Sequence, residues 1–95
     1  MPQQLDEPAT FKIFDRDINQ ETSIALKSSL ALAVDTEAMG LIHGRDRLCL
    51  IQICDELDNV ICIRIEKNQN SAPNLKLILE EQTIEKVFHF TRFDV

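Results

Sequence analysis

The chain contains no tryptophan and no tyrosine, and only five phenylalanines. Leu, Ile and Val must therefore supply most of its large apolar contacts. No apolar run approaches the roughly 20 residues that a membrane-spanning helix requires. The stretch Met1–Thr10 is polar and lacks the basic start and apolar centre of a secretory signal. The expected location is the cytoplasm, with no membrane partner. Only two glycines occur, Gly40 and Gly44, and they lie close together. Three cysteines, Cys49, Cys54 and Cys62, form no C-x-x-C pair, which argues against a structural zinc site. An odd number in a non-secreted chain reads as reduced, buried thiols acting as small hydrophobes. Basic residues are also scarce. Ten Lys and Arg face 16 Asp and Glu, for a formal net charge of −6. That balance argues against holding nucleic acid by charge alone, which needs clustered cations. It is compatible with an enzyme that meets phosphates through bound metal ions held by carboxylates.

At 95 residues the chain is one small domain or a piece of a larger one. A chain this short buries only roughly 60–65% of its unfolded surface, so its core is marginal. Residues 1–10 read as a loose leader and residues 11–95 as the domain. Phe11–Phe14 fits a short edge strand. Asp17 is a candidate helix N-cap with Gln20 as its capping-box partner, opening a helix over 18–28 with Ile18, Ile24, Ala25 and Leu26 on its apolar side. Leu30–Glu37 reads LALAVDTE. A strand would send Leu30, Leu32, Val34 and Thr36 to one face and Ala31, Ala33, Asp35 and Glu37 to the other. The small alanines would admit a close-packed helix on that second face.

Ala38–Arg47 holds both glycines and reads as a turn region. Leu48–Cys54 (LCLIQIC) and Val60–Ile65 (VICIRI) are further strands, joined by a polar turn carrying Asp58-Asn59. Connections this short predict an antiparallel meander of three strands. Ser71 can cap a helix with Pro73 in its first turn, and Leu75, Ile78, Leu79 and Gln82 follow helical spacing. Glu85–Phe90 (EKVFHF) is the next strand. It is reached through a helix, as a crossover to a parallel position is. The expected fold class is α/β: three antiparallel strands, then a helix-linked parallel strand, with helices on both faces of a mixed sheet.

Asp35-Thr36-Glu37 ends an apolar strand. Acids spaced i, i+2 on a strand share a face and can reach one cation, which offsets the cost of holding two carboxylates together. Pattern alone leaves open that they are solvated turn acids. Asp94 follows the VFHF strand by a few residues. If that strand lies parallel and adjacent to LALAVDTE, Asp94 emerges at the same end of the sheet, where ligands usually bind. Three such acids make a hard-oxygen site for Mg²⁺ or Mn²⁺.

At this point the sequence resembles a known family. LAVDTEAMGL is similar to the first exonuclease motif of the DEDD superfamily, RLCLIQI to the strand that follows it in ribonuclease D, and KVFHFTRFDV to that family's second motif. IHGRDRLCLIQIC resembles the cyanobacterial branch. The resemblance runs from about Phe11 to Val95. It implies a ribonuclease H-like fold, truncated before the last strand and helices. It further implies a 3′–5′ exoribonuclease using two divalent ions, Mg²⁺ or Mn²⁺. Asp35, Glu37 and Asp94 would be the catalytic metal ligands: Asp35 bridging both ions, Glu37 completing the one that holds water, and Asp94 supporting the other. Substrates would be single-stranded RNA 3′ ends, tRNA precursors among them. The family's third motif, an aspartate with a tyrosine four residues before it, has no counterpart in these 95 residues. The chain alone is therefore expected to be inactive or very weak. The alternatives are an inactive remnant that binds RNA or protein, and a plain structural domain.

Other residues divide between functional and ordinary readings. Met39, Gly40 and Leu41 line the 3′-terminal nucleotide by the same resemblance, or pack as a turn. His89 is a hydrogen-bonded structural histidine, or a substrate contact. The turn His43–Arg47 offers two guanidinium groups to phosphates, or is a solvated loop. Gln52 reads as a satisfied sheet residue. An uncovered last strand would leave an apolar edge through which copies could associate.

Overall fold

The computed structural model describes residues 10–39, 48–66 and 68–92. Seven elements follow in order: β1 (Thr10–Asp15), α1 (Gln20–Leu26), β2 (Ala31–Met39), β3 (Leu48–Asp55), β4 (Asn59–Glu66), α2 (Pro73–Leu79) and β5 (Glu85–Arg92). The strands form one sheet in the order β1-β4-β3-β2-β5. β2, β3 and β4 are the antiparallel meander that their short connections predict. β5 lies parallel to β2, with Ala31 opposite Glu85 and Ala38 opposite Arg92. β1 pairs parallel with β4 at the far edge, from Thr10–Asn59 to Asp15–Arg64.

Alternation along the strands sets the two faces of the sheet. Leu32 and Val34 of β2, Ile53 of β3, and Ile61 and Ile63 of β4 point to one side. There they join Ile18, Leu26, Leu75, Ile78 and Ile84 in a single buried cluster. Both helices pack on this side. The other side differs from the expectation of helices on both faces. No described helix covers it, and Ala33, expected under a helix, is exposed. Phe11, Ile13 and Val87 on that side are all more than half exposed.

Helix termini also depart from the sequence reading. α1 is capped by Asn19, whose side chain accepts from the Thr22 amide at 2.8 Å. The helix is shorter than residues 18–28. Its buried residues are Thr22, Ser23 and Leu26, with Ile18 buried just before the cap, while Ile24 and Ala25 are exposed. Asp17 serves the other helix instead. Its carboxylate accepts from the amides of Asn74 (3.0 Å) and Leu75 (2.9 Å), as well as from its neighbour Ile18. Ser71 plays no capping role, and Ala72 at the α2 N-cap offers no side-chain bond. Local spacing made Asp17 a cap for the nearer helix. Packing α1 against α2 turned it toward the amides that lacked one. Asp17→Ala should therefore lower stability by about 1–2 kcal/mol, the usual worth of a lost N-cap. Urea unfolding checks this, and an unchanged midpoint would mean that water replaces the carboxylate without cost.

At the opposite end of the molecule, Asp55 closes the β3–β4 turn. It accepts from the amides of Leu57 and Asn59, while Asp58 adopts a positive φ of 66°. The Glu56 carboxylate accepts from the amides of Leu30 and Ala31 and so ties this turn to the start of β2. Its own backbone amide first, then that of Leu30, holds the Glu56 carboxyl below its ordinary range.

Candidate metal and nucleic-acid site

Asp35 and Glu37 lie two residues apart on β2, so both project from the face opposite Leu32 and Val34. Each is half-buried. The register gives Asp35 two same-face neighbours, Gln52 of β3 and His89 of β5. His89 Nδ1 stands 3.4 Å from Asp35 Oδ1, with the two side chains 77% and 44% exposed. Glu37 falls between Leu50 and Thr91 in the same register. Because the described helices sit on the other face, the carboxylates open toward solvent, where a large ligand can reach them.

β2 and β5 run in the same direction and leave the sheet at the same end. Met39 is the last residue of β2. Asp94 lies outside the described residues, as do Gly40, Leu41 and the His43–Arg47 turn. Among the described residues no group of three His, Cys, Asp or Glu comes close enough to hold a metal ion. Asp35 and Glu37 nevertheless fit a hard divalent cation. Their four carboxylate oxygens are the donors that Mg²⁺ and Mn²⁺ prefer, and a third ligand would complete a site from the adjacent strand end.

Three ordinary readings are refined by the geometry. His89 is exposed and stands beside Asp35. Gln52 is exposed on the sheet; its lone polarity within LCLIQIC is the visible signal, but its place next to Asp35 depends on the hairpin register. The cysteines are half-buried, not fully buried. Desolvation pushes the thiols of Cys54 and Cys62 up, and for Cys54 the nearby Asp58 and Asp55 add to it. Both stay protonated near neutral pH, which suits small hydrophobes rather than nucleophiles. A cleft of about 390 Å³ lies at the other end of the sheet, lined by Thr10, Leu26, Asp55 and Asn59 among others. It is remote from the carboxylates.

A five-stranded mixed sheet with a helix-linked parallel strand, and an acid pair on its central region, defines an α/β domain of the ribonuclease H-like nuclease class. Within that class the chain matches the 3′–5′ exonuclease family over residues 11–95, and it belongs to that family. No match was found among curated proteins. A solved structure described as the apo form of a nuclease is 37% identical, with a TM-score of 0.67, over 85% of this chain and 38% of that one. NrnC from Brucella melitensis is 36% identical over 84% of this chain and 38% of its own, also with a TM-score of 0.67. NrnC has also been solved with bound Mg²⁺ and bound to pGG. This chain thus spans about 38% of the length of the solved chains it matches. Among the described residues, no helix is long and apolar enough to cross a membrane.

Proposed function

We propose that this chain is the carboxylate-bearing N-terminal part of a ribonuclease D-type 3′–5′ exoribonuclease that works with two divalent metal ions. The observation that carries this reading is the parallel pairing of β5 with β2. It sets the end of β5, Arg92, level with Ala38, at the strand end that carries Asp35 and Glu37. Asp94 follows within two residues of that strand. Asp35, Glu37 and Asp94 are the proposed ligands, with Asp35 shared between both ions. When bound, the ions would lower the pKa of a water and offset charge on the attacking and leaving oxygens. The protein's own part is to hold the carboxylates on one rigid strand face and to leave that face open to a nucleic-acid end. Met39, Gly40 and Leu41, directly after the acid pair, are the proposed contacts of the 3′-terminal nucleotide.

The Mg²⁺-bound and pGG-bound forms of NrnC support a metal-dependent nuclease that accepts short nucleic acids. Single-stranded RNA 3′ ends, such as those of tRNA precursors, are the proposed substrates. Calorimetric titration with Mn²⁺ tests the metal site. Wild type should bind weakly and Asp35→Asn should lose the heat. Equal heats would mean that these acids hold no metal, and would favour a binding module without catalysis.

Self-association through β5 is a further part of this reading. β5 is an edge strand of the described sheet, and Val87 and Phe88 on it are 60% and 47% exposed. An unpaired edge with apolar side chains is a template for a second copy. Sedimentation should show concentration-dependent association that Val87→Lys reduces. A monomer at all concentrations would dismiss it.

A further inference from the structure

A polar side-chain contact between His89 and Asp35 links β5 to the acid pair. The two residues are register partners on adjacent parallel strands, so their side chains rise from the same face side by side. The facing atoms are His89 Nδ1 and Asp35 Oδ1, 3.4 Å apart. A neutral imidazole carries one N–H, and a contact at Nδ1 selects the tautomer that donates from that nitrogen. Nε2 is then turned away from the carboxylate.

We infer that His89 is a positioning residue, whose Nδ1–H holds Asp35 Oδ1 so that the carboxylate meets a divalent cation in one fixed orientation. This rests on the proposed metal role of Asp35. Three features favour orientation over a chance surface contact. First, β-sheet register fixes the two Cα positions, so the pair does not depend on long flexible side chains. Second, Asp35 is half-buried while His89 is largely exposed. The histidine can therefore lie against the carboxylate without blocking its approach from the open face. Third, the opposite neighbour, Gln52, has its Oε1 near Cys62 Sγ at 3.9 Å, on the side away from β5. His89 is thus placed to restrain Asp35 from the β5 side. Outer partners that orient a metal-binding side chain commonly change metal affinity by about 10–100-fold when removed.

The test uses the geometry of amides as partial copies of imidazole. In His89→Asn the side-chain amide nitrogen falls near the Nδ1 position, whereas in His89→Gln it falls near Nε2. The 95-residue chain and its His89→Ala, His89→Asn, His89→Gln and Asp35→Asn variants are titrated with Mn²⁺, with circular dichroism confirming the fold of each. Expected results are a loss of affinity of about 10-fold or more for His89→Ala and His89→Gln, and retention within a few-fold for His89→Asn. Mn²⁺ affinity unchanged in His89→Ala, or increased in it, overturns the proposal, as does His89→Asn behaving like His89→Ala. The Asp35→Asn arm separates the two levels. If Asp35→Asn binds Mn²⁺ as wild type does, the metal reading itself has failed. If it abolishes binding while every His89 variant matches wild type, only the positioning role has.

Discussion

RNA trimming by a complete exonuclease domain that carries these residues should fall at least about 100-fold on Asp35→Asn. Removing an outer partner of a metal ligand already costs about 10–100-fold, and removing a direct ligand should cost no less. The substitution keeps the side-chain shape and exchanges a charged oxygen for an amide, so it removes a hard anionic donor without opening a hole. Loss of fold is readily told from loss of chemistry. Asp35 is half-buried on the open face and outside the buried cluster, so the melting temperature should hold. The 95 residues by themselves should trim 5′-labelled single-stranded RNA far more slowly than the complete domain. Two-metal hydrolysis requires both ions and the attacking water to be fixed within a fraction of an ångström. In the proposed site Asp35, Glu37 and Asp94 would be three ligands, and a third motif of the kind the resemblance implies would supply the fourth together with a water-positioning tyrosine. Rapid single-nucleotide trimming by the isolated 95 residues, lost in Asp35→Asn, would show that the third motif is dispensable. Full activity of Asp35→Asn in the complete domain would remove the metal role altogether. Including pGG beside longer RNA in the same assay reports whether short or long substrates are preferred.

The second large effect falls on stability. Ile63→Ala should cost about 2–5 kcal/mol, the range for truncating a fully enclosed aliphatic side chain. Ile63 has no exposed surface. It sits on β4 between Phe14 of β1 and Ile51 of β3, and so contributes to the wall against which both helices pack. A domain of this size has only roughly 5–15 kcal/mol in total, so such a loss is a large part of it. Leu77→Ala is the matching control. Leu77 lies on α2 but is 60% exposed, and surface substitutions usually stay within about 0.5 kcal/mol. Urea titrations of the two variants should therefore differ several-fold in their displacement from wild type. Similar displacements would mean that the buried cluster does not organise the domain.

These two effects lie on opposite faces of one sheet, and the separation follows from strand alternation. Val34 and Thr36 turn one way, Asp35 and Glu37 the other. A shift of one residue in the β2–β5 register would exchange the faces of β5. His89 would then leave Asp35 for the helix side. Stability and chemistry thus depend on the same hydrogen-bond ladder, while the side chains that serve each are distinct. The exposed ion pairs Arg64–Asp15 and Arg16–Glu66 add little to either.

Several features followed from the sequence by itself. Apolar runs separated by polar turns specified the β2–β3–β4 meander, because connections so short leave adjacent antiparallel pairing as the ready solution. The helix between β4 and β5 implied a crossover, and hence a parallel strand. Spacing alone put Asp35 and Glu37 on one face, since the strand period is two. Only the tertiary structure decided the rest. Asp17 carries the mark of a cap for the helix beside it in sequence, yet it caps α2, because the packing of α1 on α2 brings distant amides within reach. Ala31 and Ala33 have the size that admits a helix, but small side chains do not say whether one is there, and the described helices lie on the other face. His89 and Gln52 have no sequence spacing that ties them to Asp35. Their places beside it arise from the register of three strands, which is fixed by the sheet as a whole and by no segment alone.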